Sequence, residues 1–317
     1  MAKGFEKICK MSQNDVKKYV AQRLRETHKE ITVADGFVYA QGTFPVLLVA
    51  HMDTVHQSLP YMIMRSKDKN GNDIISSPMG IGGDDRCGIY MIFEVLKKFN
   101  CSVVFCEDEE IGTIGAEKFT KHEISTSLDF NYIIEFDRKG SNDAVFYDCD
   151  NLEFEEFITK EFFKTNWGSF SDISVIAPHL GCAAVNLSCG YYNAHQKSEY
   201  VVIQEMEEVI KQACKILERT TEKDVFEYVE AEPVYKYSSK WWDECYGYSF
   251  SNTIGNINSD YSMPQYYLIS YVNVYGEEDW YEVEAHSKEE AVGILLIKIP
   301  DMCFNNIVNV MSEDECY

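Results

Sequence analysis

Strand and helix signals alternate along the first 220 residues, and that alternation confines the chain to an α/β fold, a mixed and mostly parallel sheet sandwiched by helices. The plainest strand is FPVLLVAH, residues 44–51, a buried apolar run that passes directly into His51, with Asp53 two positions further on. Other strands are expected within 30–40, where Asp35-Gly36 marks a hairpin turn, and at 101–108, 131–137, 143–148 and 182–189. Helical patterns fall between them at 13–27, with Ser12 or Asn14 as cap, and at 85–99, 115–122, 152–165 and 203–220. Ligands bind outside the carboxyl ends of the strands in open sheets of this kind, so an imidazole and a carboxylate placed there are placed for chemistry. An ordinary loop also sets His beside Asp by chance, so the pair needs partners.

Charge narrows those partners. The 52 acidic residues against 29 basic ones give a formal charge of -23, which repels phosphate backbones and anionic membrane surfaces. Neither nucleic acid nor membrane is expected as a partner. The opening residues MAKGFEKICKMSQNDVKKYV lack a signal-peptide core, and no stretch approaches the ~20 apolar residues of a membrane span, which predicts a cytoplasmic protein. The 11 cysteines include no Cys-x-x-Cys and read as free thiols in a reducing compartment.

Composition shifts after residue 220. The last 97 residues hold 12 of the 21 tyrosines and three of the four tryptophans. The reading is a main domain over 1–220, an irregular aromatic-rich linker over 221–262 and a small α/β appendage over 263–317. Ser287 and Glu290 are spaced as a capping box for the appendage's helix. The aromatic content suits a homo-oligomer or protein contact, and equally the core of a small domain.

Further polar groups follow other strands. PMGIGGDDRCGIY, 78–90, has glycines before a helix, but Asp84 and Asp85 carry charge where a phosphate would sit, so the segment suits a cation, or one of the pair caps the helix. FCEDEEIGTIGA, 105–116, delivers Glu107, Asp108, Glu109 and Glu110 after a strand, YIIEFDRKG delivers Asp137, and CGYYNAHQKSEY delivers His195. Two histidines with several carboxylates on one sheet edge make a nitrogen and oxygen donor set suited to Zn, Co or Mn. If one carboxylate is shared, the set becomes a two-metal site, in which ions ~3.5–4 Å apart lower the pKa of a water between them.

In their order, AHMDTV, GGDDRCG, DEEIGTIGA, EFD and NAHQKSEY are similar to the motifs of the co-catalytic zinc exopeptidases, a group that includes peptidase T, its carboxypeptidase relatives and the compact zinc aminopeptidases. The resemblance spans residues 47–200. It implies two divalent ions, with ligands carried over position by position: Asp84 shared between the metals, His51 and Asp137 completing one site, and Glu110 and His195 the other. Glu109 would be the general base and Asp53 would orient His51 through its second ring nitrogen. Lidded members insert a domain between the carboxylate ligand and the last histidine, whereas only 57 residues separate Asp137 from His195 here, and these already read as sheet and helix. The resemblance therefore favours an aminopeptidase or di/tripeptidase acting on short peptides over a carboxypeptidase. An amidohydrolase or deacylase acting on a non-peptide amide, and a peptide- or protein-binding module without catalysis, stand as alternatives. Glu107 or Asp108 could pair with a peptide's ammonium group, and Tyr191 or Tyr192 could donate to an oxyanion. Cys87, His56 and His179 read as structural.

Overall fold

The computed structural model describes residues 2–166, 168 and 170–231, and in the C-terminal part residues 265–272, 278–285, 291, 294–295 and 307–312. The chain divides into two compact units, residues 1–232 and 233–317. The first begins with α1 (Ala2–Cys9), α2 (Gln13–Leu24), β1 (Glu30–Ala34), β2 (Phe37–Gln41), β3 (Phe44–His51), β4 (Met64–Lys67) and β5 (Asp73–Ser76). Next come α3 (Gly83–Val95), β6 (Cys101–Cys106), α4 (Ile114–Lys121), β7 (Tyr132–Arg138), β8 (Asp143–Val145), α5 (Leu152–Thr159) and β9 (Lys164–Asn166). The unit closes with α6 (Asp172–Leu180), β10 (Ala184–Ser188), β11 (Tyr191–Tyr192), β12 (Tyr200–Val202) and α7 (Ile203–Arg219).

Eight strands form one sheet in the order β1-β2-β6-β3-β7-β10-β8-β9. Its centre, β6-β3-β7-β10, is parallel, while β1-β2, β2-β6 and β10-β8 are antiparallel. The expected sandwich is what forms, because the central strands are apolar on both sides. Along β3, Val46, Leu48 and Ala50 enter one core and Leu47 and Val49 the other, the two-residue period of a strand. The first core also takes α1, α2, α3, α5 and α7 residues, and the second takes Ala116 and Phe119 of α4 and Ile173, Ile176 and Ala177 of α6. Each fully buried aliphatic side chain contributes roughly 1.5–3 kcal/mol, so these cores hold the strand ends in place.

A second sheet, β11-β12-β5-β4, is antiparallel where its strands pair and was not expected from the sequence. Residues 138–194 supply β8, α5, β9, α6, β10 and β11 to these two sheets and their helices. Ser12 caps α2, its side-chain oxygen accepting the Asp15 N–H at 3.2 Å. The helix expected over 152–165 stops at Thr159, because Phe162 takes a left-handed φ of 69° and residues 164–166 pair with β8.

The first unit runs past residue 220. Phe226 is buried against Phe154 and Phe157, and Glu227 and Glu230 form bridges to Cys182 and Cys149. The rest of the 221–262 segment, and the pair Ser287 and Glu290, lie outside the described residues. In the second unit, β13 (Gln265–Val272) lies between β14 (Glu278–Ala285) and β15 (Ile307–Ser312), antiparallel to both. Tyr267, Ile269, Tyr271 and Val283 form its core with Ala291 and Leu295. Among the described residues, no helix is long and apolar enough to cross a membrane.

Candidate metal centre

Parallel register brings the carboxyl ends of β3, β6 and β7 to one edge, and the sequence has loaded that edge with histidine and carboxylate side chains. His51 pairs in register with Cys106, so the turn after β6 places Glu109 and Glu110 beside it, while Asp137 is the penultimate residue of β7. Asp84 arrives from the start of α3, where Asp84 and Asp85 depart from helical backbone angles and are joined by a cis peptide bond. His195 comes from the loop between β11 and β12.

Asp84 stands at the middle. Its Oδ1 lies 3.1 Å from His51 Nε2, and its Oδ2 lies 3.2 Å from His195 Nε2. Asp137 Oδ1 lies 3.3 Å from His51 Nε2, and Glu110 Oε2 lies 3.1 Å from His195 Nε2. The result is two histidine-and-carboxylate pairs joined by one carboxylate. His51 Nδ1 meets Asp53 Oδ1 at 3.1 Å, and the two Asp53 oxygens also accept the backbone N–H groups of Glu109 and Glu110, each at 3.1 Å. Asp53 thus fixes a ring on one side and a loop on the other.

Electrostatics describe a crowded anionic site. Burial lowers the His51 pKa, but Asp137, Asp53 and Asp84 more than reverse this and hold it well above the ordinary value. Hydrogen bonds to Asp84 and Glu110 raise His195 to about 10. Burial raises Asp84 too, yet the hydrogen bonds to His195 and His51 prevail and carry it below the usual carboxylate range. Asp137 is pushed up to about 7 by burial and by the Asp84 charge. Glu109 is pushed up to about 8, by burial first and then, against the His51 charge, by Asp137, Glu110 and Asp84.

This donor set fits a divalent metal. Glu110 Oε1 is buried without a hydrogen-bond partner, an unmet cost that a cation would remove. Among the described residues, His51, Asp84 and Glu110 have ligand atoms within 4.8 Å of one another, as do His51, Asp85 and Asp137. Asp84 is the better ligand of the two aspartates, because the Asp85 oxygens already accept the backbone N–H groups of His51 at 3.3 Å and Gly88 at 2.8 Å.

Two sequence expectations fall on groups that are already engaged within the chain. Glu107 is already paired with a cation, Lys17 Nζ at 2.5 Å, and accepts the Gly36 N–H at 3.0 Å, and Asp108 Oδ1 accepts from Gln13 Nε2 at 3.0 Å. Tyr191 donates to the Asp137 carbonyl at 3.1 Å, with Asp137 Oδ1 at 3.4 Å, and Tyr192 donates to Glu205 at 2.5 Å, so neither is a free oxyanion donor. Cys87 is a buried residue of α3, and His179 meets Ser125 Oγ at 2.9 Å.

Other residues of the site went unread in the sequence. Arg86 is buried, donating to the backbone carbonyls of Met52 and Asp53 and so holding the turn that presents Asp53. Ser171 donates to Glu135 and, at 3.3 Å, to Asp137 Oδ2. His56, which had no partner in the sequence, meets Glu199 Oε2 at 2.7 Å. No motif or spacing marked Arg86 or Glu199 for these roles, because both act on backbone groups.

No protein-family model matches the sequence, and no curated protein matches it either. Solved structures do. The chain is similar to the aminopeptidase PepT from Bacillus cereus, with a TM-score of 0.55 and 14% identity over 68% of this chain and 97% of that one. It is also similar to a tripeptidase from Staphylococcus aureus (TM-score 0.51, 13% identity, 67% of this chain and 95% of that one). An aminopeptidase from the archaeon Desulfurococcus kamchatkensis gives a TM-score of 0.51 at 17% identity, over 70% and 96% of the two chains. At such identities the likeness is one of fold: the chain shares the α/β fold of these aminopeptidases and this tripeptidase.

Proposed function

We propose that this chain is a metal-dependent exopeptidase, an aminopeptidase or di/tripeptidase that hydrolyses short peptides with two divalent ions, zinc foremost and cobalt or manganese as alternatives. The observation that carries the reading is the division of Asp84, one oxygen toward His51 and the other toward His195. His51 and Asp137 would hold one ion, Glu110 and His195 the other, and Asp84 both. When bound, such ions polarise a scissile carbonyl and bring the pKa of water to near neutrality.

The remaining work falls to the chain. Glu109 would take a proton from the attacking water and return it to the leaving amine, acting as base and then as acid. Asp53 would keep the Nδ1 proton of His51 in place, so that Nε2 faces the ion. Because Asp53 also receives the Glu109 and Glu110 amides, it sets the base and a ligand in register with His51.

The test is metal content after purification without chelator, alongside hydrolysis of aminoacyl chromogenic substrates and unblocked peptides with added Zn, Co or Mn. Two ions per chain and metal-dependent release of amino-terminal residues are expected. Metal uptake with cleavage only of non-peptide acyl amides would replace the peptidase reading by a deacylase, and absence of metal uptake would end both.

A further inference from the structure

We infer that Glu199, paired with His56, is a positioning residue that locks the turn carrying Asp84 to the loop carrying His195. The inference rests on the metal-centre reading above. Glu199 is fully buried, four residues after His195, and its backbone N–H donates to Gln196 within the same loop at 3.0 Å. Its side chain reaches out of that loop. Oε1 accepts the Asp84 N–H at 3.0 Å, while Oε2 accepts the Gly82 N–H at 2.8 Å and meets His56 Nε2 at 2.7 Å.

A buried carboxylate is costly unless its lone pairs are used, and here three N–H groups use them. The Asp84 amide needs this acceptor because it lies in the first turn of α3, where N–H groups have no partner within the helix. The glycines of PMGIGG make room for the arrangement. A Cβ on Gly80 would run into the His56 ring, and one on Gly83 would come within 3.2 Å of Glu199 Oε1 and closer still to Tyr191 and Val201. One carboxylate therefore sets both the peptide that aims the shared ligand and the loop that brings the exposed one.

The bonding pattern also says which replacement fails. Both Glu199 oxygens face N–H donors, so a glutamine must turn its NH2 against one of them, and an aspartate is one carbon short.

The experiment is a Zn2+ titration in competition with a chromogenic chelator, on wild type, Glu199→Gln, His56→Gln and His56→Ala. The visible spectrum of each Co2+-loaded protein and the circular dichroism of each metal-free protein are recorded in parallel. Glu199→Gln is expected to bind Zn2+ about 10–100-fold more weakly and to change the Co2+ spectrum with the fold intact, and His56→Gln, which keeps a donor, to lose less than His56→Ala. If Glu199→Gln does not fold, the His56 pair carries the same test. Wild-type affinity and spectrum in Glu199→Gln, or in His56→Ala where Glu199→Gln is lost, overturn the inference while leaving the metal centre standing. A wild-type chain that takes up no Zn2+ overturns the metal centre and the inference with it.

Discussion

The two halves of the centre are made of different material. His51 and Asp137 stand at the ends of β3 and β7, adjacent parallel strands in the middle of the large sheet, and His51 is 0% exposed. Glu110 and His195 stand on loops; the His195 side chain is 57% exposed, and its backbone adopts a left-handed φ of 64°. Strand ends in a packed sheet are preorganised by their cores, whereas loop ligands depend on whatever ties the loop down. Here those ties are single carboxylates, Asp53 beneath Glu109 and Glu110 and Glu199 beneath His195. One half is given by the fold, and the other is assembled by hydrogen bonds.

The largest effect is expected at Glu109, the proposed base for both halves. Glu109→Gln should lower kcat by ~10²–10⁴ while metal content stays at the wild-type level. Wild-type turnover in that variant would sink the mechanism whatever the metals do.

The comparison itself is broken or kept by two alanine variants. His51→Ala leaves Asp53, Asp84 and Asp137 without their buried imidazole, so it should destabilise the metal-free protein by roughly 1–3 kcal/mol as well as weaken metal binding. His195→Ala should abolish the second ion yet change metal-free stability by less than about 1 kcal/mol, because the His195 side chain is itself more than half exposed and its ion pairs are screened by water. Equal losses of stability in urea unfolding would show that the halves are not built differently. Asp53→Asn sharpens the point: it keeps one carbonyl acceptor for three donors and should cost about 10–100-fold in metal affinity or activity, read by chelator competition.

Most of the rigid half could be read from the chain alone, and the assembled half only in part, for a physical reason. β3, β6 and β7 are apolar runs whose ends announce His51, Glu109 and Asp137, because burial on both faces leaves a continuous pattern in sequence. The small sheet carries no such pattern: β4 is exposed along its length, and β12 pairs with β5 across more than a hundred positions. Helix α6 was hidden by Pro178 in its last turn, although its cap, Ser171, had the right chemistry. Glu199 and Arg86 act through backbone groups far away in sequence, Gly82 and Asp84 for one, Met52 and Asp53 for the other. Such contacts need no residue type at the receiving end, so nothing in the receiving segment betrays them.

The effect that joins the halves is in pH. Without metal, Asp137 is raised from 3.8 to about 7, Glu109 from 4.5 to about 8 and His195 from 6.5 to about 10, with His51 raised as well. Between pH 6 and 9 the folded metal-free chain thus binds more protons than the unfolded one, and its stability must fall as pH rises. The lowered groups, Asp84 and Asp53, act in the opposite direction but only at acid pH, below this window. Metal reverses the slope, because ions compete with those same protons and bind more tightly as they leave. Thermal unfolding at pH 6 and pH 9, with chelator and with Zn2+, should therefore give slopes of opposite sign. The His195 variant should flatten both slopes without changing their signs, since His51, Asp137 and Glu109 still titrate; a metal-free protein that gains stability toward pH 9 would contradict the crowding on which both halves depend.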